Sequence, residues 1–182
     1  PISSLIKNTE KNKLHYDNLY SKLGINHIIK FIDNFDKSFN DACKTDTSWV
    51  GFYINNFSIN LENKKILELG CGDCKNLAVM AYLGADVYGN DISQESGEII
   101  NQINKKFNFK HPIKFVAGDY LVSPLKNKYY DYIVGKAFIH HLTPLQEIKF
   151  TEKIVKELKE NGRVRYFEPA VNSKFIDSLR WL

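Results

Sequence analysis

The sequence predicts an α/β fold: a doubly wound, mostly parallel sheet with helices on both faces, preceded by a helical N-terminal cap. Three observations carry that expectation. From Lys64 onward, short β-branched or apolar runs alternate with segments of helical period. Strands and helices alternating over about 10 to 15 residues imply right-handed crossovers, and so parallel strands covered on both faces. Before Lys64 the apolar residues recur at helical spacing, without the alternation of a strand, and a length of 182 residues, 43% of them hydrophobic, suits one sizeable core rather than two. The division expected is a helical cap over residues 1–60 and a sheet domain over residues 61–182.

Each element has its own signal. Ile25, Ile28, Ile29, Ile32, Phe35 and Phe39 share one helical face, which predicts a single amphipathic helix over 25–42. A polar break, KTDTS, leads to WVGFYINNF, whose Trp49, Phe52, Tyr53 and Phe57 read either as plain core or as a lid over a substrate. KKILELG predicts the first strand, KNLAVMAYLG a helix stopped at Gly84, and ADVYGND the second strand. Ser93 is the expected N-cap of a helix with Ile99, Ile100, Ile103 and Phe107 on one face. HPIKFVAGD and YYDYIVGKAF supply the third and fourth strands. Thr143-Pro144-Leu145-Gln146 places a cap threonine, a first-turn proline and a capping-box glutamine in register, and that helix should run to Asn161-Gly162. RVRYFEPA predicts a fifth strand, in which Arg163 and Arg165 have no account beyond exposure at one end, and NSKFIDSLRWL begins another helix.

Composition narrows the function classes. The net charge of +4 is mild and spread along the chain, so no nucleic-acid partner is expected. No apolar run approaches the roughly 20 residues needed to cross a bilayer, and PISSLIKNTEKNK lacks a signal-peptide core, so a cytoplasmic protein without a membrane partner is expected. Three cysteines do not make a disulfide framework. A start at Pro1 and an end at Trp181-Leu182 inside a helical pattern suggest a piece of a longer chain.

Ligands of open parallel sheets bind at the carboxyl ends of the strands, so the chemistry should follow each strand. The first ends in Glu68-Leu69-Gly70-Cys71-Gly72-Asp73-Cys74, a glycine turn opening a helix. Glycines allow close backbone approach to a ligand, and the helix start offers unpaired N–H donors. Cys71 and Cys74 also spell C-x-x-C, but a redox pair would leave both glycines unexplained, and no second cysteine pair completes a metal site. Lys75 stands where G-x-G-x-x-G needs its third glycine, and Gly135-Lys136-Ala137 is not a P-loop. Asp91 closes the second strand at the distance of a ribose acceptor, and Gly118-Asp119-Tyr120 after the third pairs a carboxylate with an aromatic ring, suited to an adenine amine and a stacked base. Together they describe a site for an adenosine without a phosphate chain.

At this point the chain, from about Lys64 to Pro169, resembles the class I S-adenosylmethionine-dependent methyltransferases, which have a Rossmann-like fold. Glu68, Gly70 and Gly72 match the family's first motif, Asp91 in VYGNDIS its second, and Gly118 and Asp119 its third; YYDYIVGKAFIHHL and NGRVRYFEPA match the fourth- and fifth-strand patterns. The resemblance implies S-adenosylmethionine as cofactor, its methionine end on the Gly70–Cys74 turn, its ribose at Asp91, and its adenine at Asp119 beside Tyr120. Cys71, Ile92 and Lys136, within the same motifs, complete the implied cofactor set. His140 and His141, after the fourth strand, are the candidate base or substrate contacts, because a histidine titrates near neutrality.

Two departures stand out. Cys74 replaces a family glycine, so either its side chain narrows the pocket or its backbone takes ordinary dihedrals; and the family's closing hairpin of two further strands is missing. No Asn/Asp-Pro-Pro-aromatic stretch follows the fourth strand, which argues against nucleobase or amide acceptors and leaves a small molecule as the expected methyl acceptor. The alternatives are a non-catalytic S-adenosylmethionine-binding module and an NAD-dependent oxidoreductase.

Overall fold

The structure is a computed structural model and describes residues 2–53 and 56–168. Four helices come first: α1 (Ile2–Tyr20), α2 (Asn26–Asp33), α3 (Phe35–Thr45) and α4 (Thr47–Tyr53). There follow β1 (Lys65–Leu69), α5 (Lys75–Tyr82), β2 (Asp86–Asp91), α6 (Glu95–Lys106), β3 (Lys114–Ala117), β4 (Tyr130–Lys136), α7 (Pro144–Glu157) and β5 (Leu158–Phe167). The strands form one sheet in the order β3-β2-β1-β4-β5, with every neighbouring pair parallel. Among the described residues, no helix is long and apolar enough to cross a membrane.

Strand periodicity explains how the sheet is covered. Ile66 and Val134 face one apolar cluster, shared with Leu77 and Ile99 of the helices behind them, while Leu67, Leu69 and Ile133 face a second, shared with Phe150 and Ile154. The helices of the N-terminal segment complete the first cluster: Ile28, Phe31, Trp49, Phe52, Tyr53 and Phe57 are all buried. The aromatic stretch therefore packs into the core, with Trp49 stacked on Phe31 at 5.1 Å and on Tyr53 at 5.1 Å between ring centroids, and Trp49 also borders the cavity at the strand ends.

Several boundaries differ from expectation. The single helix expected over 25–42 is two, because Asn34 takes a non-helical conformation (φ −123°, ψ 42°) and turns its side chain back to the Lys30 carbonyl. The capping box at Thr143 and Gln146 forms as expected, but α7 stops at Glu157, short of Gly162. The chain passes directly into β5, and a register break lets Leu158 pair with Tyr130 and Arg163 with Tyr132. Gly162 sits in that bulge, where a Cβ would lie 2.9 Å from the Tyr130 carbonyl oxygen. Arg165 gains the explanation the sequence lacked: it donates to the Phe52 carbonyl at 2.6 Å and lies over the Phe57 ring, tying β5 to the N-terminal segment. The helix expected from NSKFIDSLRWL lies outside the described residues.

Candidate active site

The turn after β1 is built by positive backbone angles. Gly70 (φ +64°) and Gly72 (φ +53°) both sit in the left-handed region, and a Cβ on Gly72 would come within 2.8 Å of the Tyr20 hydroxyl. Cys74 is left-handed too (φ 61°, ψ 10°), which is why glycine suits that position. Neither expectation for it holds: its dihedrals are not ordinary ones, and its side chain does not narrow the cavity. It is fully buried, with Sγ 3.4 Å from the carbonyl oxygens of Gly72 and Ser96. Burial raises both the Cys71 and Cys74 thiols, the opposite of what a reactive thiolate needs.

Two carboxyl groups and an amide brace this turn. Asp91 Oδ2 accepts the Gly72 N–H and Oδ1 the Ser93 N–H, each at 2.9 Å, while burial raises its pKa against the pull of those hydrogen bonds. Ser93 falls one residue short of the expected N-cap position, since Gln94 holds it, yet its Oγ still accepts the Glu95 N–H at 3.2 Å. Asn90 clamps β2 to the next turn by donating to the Val116 and Gly118 carbonyls at 2.8 and 3.2 Å. Glu68 is buried with Oε1 accepting from Asn76 Nδ2 at 2.6 Å and Oε2 without a partner. Burial pushes its pKa up to about 8 despite the Asn76 hydrogen bond and the nearby Lys136.

These strand ends open into one cavity of about 620 Å3, lined by Glu68, Gly70, Cys71, Gly72, Asp91, Ile92, Asp119, Tyr120 and Lys136. That volume is within the range of small-molecule sites, roughly 300 to 1,000 Å3. Asp119 accepts the Leu121 N–H at 2.9 Å, and Tyr120 is buried with its hydroxyl turned away to Glu157 Oε2 at 2.7 Å. The two histidines separate. His141 lines the cavity, whereas His140 does not, its Nδ1 lying 2.8 Å from Glu168 Oε2 on the exposed side.

A sequence profile described as "Methyltransferase domain" matches residues 66–162. The chain belongs to the S-adenosylmethionine-dependent methyltransferases. Among curated methyltransferases it is similar to the ubiquinone biosynthesis O-methyltransferase of Pelagibacter ubique, 30% identical over 111 residues, covering 61% of this chain and 44% of that protein. It is also similar to the sterol 24-C-methyltransferase of Candida albicans, 25% identical over 129 residues, covering 70% of this chain and 33% of the other. The chain thus spans less than half the length of either relative. Among solved structures, the DhpI–SAM–HEP complex superposes with a TM-score of 0.62 at 14% identity, covering 97% of this chain and 71% of that one, a likeness of fold.

For a methyltransferase the donor set fits S-adenosylmethionine: a glycine cradle, a buried carboxyl with an unpartnered oxygen, and two further carboxyl groups spaced along the strand ends would hold it. The residues of the wall opposite were not foreseen. One face of α1, including Thr9, Tyr16 and Tyr20, lines the cavity. Tyr16 and Tyr20 stack at 5.4 Å, the Tyr16 hydroxyl lies 2.9 Å from His141 Nε2, and Asp17 accepts from Ser93 Oγ at 2.6 Å. The only signal was the pair of tyrosines four residues apart in an otherwise polar stretch. Glu168 was missed as well; it gathers the Phe138 and Ile139 N–H groups at 2.8 Å each and so shapes the turn that carries both histidines.

Proposed function

We propose that this chain transfers the methyl group of S-adenosylmethionine to a small-molecule acceptor. The observation that carries this reading is the placement of Glu68, Gly70, Gly72, Asp91 and Asp119 around a single cavity at the ends of three adjacent strands. In this reading Glu68 and the Gly70-Cys71-Gly72 backbone hold the methionine end, Asp91 and Ile92 the ribose, and Asp119 and Tyr120 the adenine, with Lys136 beside Glu68. Residues 1–60 serve as the cap that closes the acceptor side. When bound, S-adenosylmethionine supplies a methyl carbon made electrophilic by its sulfonium.

The protein's own tasks are alignment and, for an acceptor that carries a proton, its removal. His141 is placed for the second. Burial and then His140 lower its pKa, so at pH 7 the ring is neutral and able to take a proton. The Tyr16 hydroxyl, whose own pKa burial raises, stays protonated and can relay an acceptor's proton to His141 Nε2. His140, paired with Glu168 outside the cavity, is given no part in proton removal. The sterol and ubiquinone-biosynthesis enzymes to which the chain is similar support a small-molecule acceptor.

Calorimetric titration tests the reading. S-adenosylhomocysteine should bind and NAD should not, and Asp91→Ala should weaken the former more than tenfold, about 1.4 kcal/mol. Binding of NAD alone by the folded protein would sink it, and an unaltered affinity in the Asp91 variant would move the ribose elsewhere.

A further inference from the structure

Two lysines line the cavity and approach one aromatic ring. Lys75, the first residue of α5, and Lys136, the last of β4, both line it, and their ammonium groups converge on one indole: Lys75 Nζ lies 5.2 Å and Lys136 Nζ 5.4 Å from the Trp49 ring centroid. Among the described residues neither makes an ion pair or a side-chain hydrogen bond. The nearby acids act on the two lysines through space, from beyond ion-pair distance. Asp46 Oδ1 accepts from the Ser48 N–H at 2.8 Å; Asp73 accepts the Lys75 backbone N–H at 3.1 Å and stands 3.3 Å from His27 Nε2; Glu68 Oε1 accepts from Asn76 Nδ2 at 2.6 Å. Burial lowers the Lys75 pKa, and Lys136 pushes it the same way against Asp73 and Asp46. Like charges brought together in a half-buried site favour whatever anion can sit between them.

We propose that Lys75 and Lys136 form an oxyanion subsite at the Trp49 end of the cavity, and that the methyl acceptor is a carboxylate- or phosphate-bearing molecule. This rests on the methyltransferase reading above. The cofactor's own carboxylate is a single anion, and it arrives with an ammonium and a sulfonium, so it need not occupy both lysines. Trp49 gives such an acceptor an apolar floor, while the ammonium groups fix its anionic end.

The test titrates inorganic phosphate, at low ionic strength, into the protein with and without saturating S-adenosylhomocysteine. Wild type should bind phosphate in the millimolar range. Lys75→Met should weaken it at least fivefold, Lys75→Arg should restore it, and S-adenosylhomocysteine affinity should stay within twofold in both. Failure of the folded wild type to bind phosphate, or an equal phosphate affinity in Lys75→Met, overturns the proposal. So does a tenfold loss of S-adenosylhomocysteine with 5′-methylthioadenosine unchanged, since the latter lacks the amino-acid end and the anion would then be the cofactor's. If S-adenosylhomocysteine does not bind wild type at all, the cofactor reading fails, whereas phosphate binding by the ligand-free protein still reports on the lysine pair.

Discussion

Glu68 shows how a single side chain can couple the site to pH. Its pKa of about 8 in the fold exceeds that of an unfolded glutamate, so the folded state holds the proton more tightly. The stability that this contributes is fully present at acid pH and is lost as pH rises through 8. Denaturant unfolding of the wild type should therefore show stability falling over roughly pH 5 to 8, while Glu68→Gln, which keeps the acceptor for Asn76, should be flatter over that window; parallel profiles would place the ionisation elsewhere. Cys74 poses a different question, because its left-handed backbone is strained and its sulfur is well buried. Cys74→Ala loses the sulfur and keeps the strain, whereas Cys74→Gly loses the sulfur and releases it. The glycine variant should match or exceed the alanine variant by up to about 1 kcal/mol in chemical denaturation, the reverse of the usual order. The sequence exposed this position as a departure from a glycine pattern. It could not reveal the backbone angle, which depends on how Asp91 and Ser96 hold the turn from outside.

At the level of elements, the strands from Lys65 to Lys136 were legible because each is a short apolar run closed by glycine or aspartate. The N-terminal segment was less so. Asn34 splits an unbroken apolar stripe, and α1 half-buries tyrosines in a sequence too polar to announce a helix. The α7–β5 junction misled for a related reason: Glu160-Asn161-Gly162 has the composition of a helix stop, but the glycine serves a bulge in which the Tyr130 and Lys159 carbonyl oxygens stand 2.9 and 3.0 Å from any added Cβ. Gly162→Ala should then destabilise by about 1–3 kcal/mol in thermal or denaturant melts, as overpacking against backbone does. A loss of only a few tenths of a kcal/mol would fit a solvent-facing helix end instead.

Across the whole molecule the organisation follows from β1 at the centre of the sheet. Its end carries Glu68 and the glycine turn, its neighbours β2 and β4 deliver Asp91 and Lys136, and the cavity forms where helices leave in both directions. The cavity-lining residues after β1, β2 and β3 were readable because they sit at fixed places after strands. The opposite wall was not, since it is assembled from α1, α4 and the turn bearing His141, segments far apart in the chain that only the folded packing brings together. The way α1 is fastened also bears on timing. Beside the cavity it is held by the Tyr16–His141, Asp17–Ser93 and Thr9–Gln146 contacts, polar fastenings that water can replace one at a time, more than by a continuous apolar seam. A wall attached in that manner can loosen without the sheet unfolding, so the amide hydrogens of α1 should exchange sooner than those of β1.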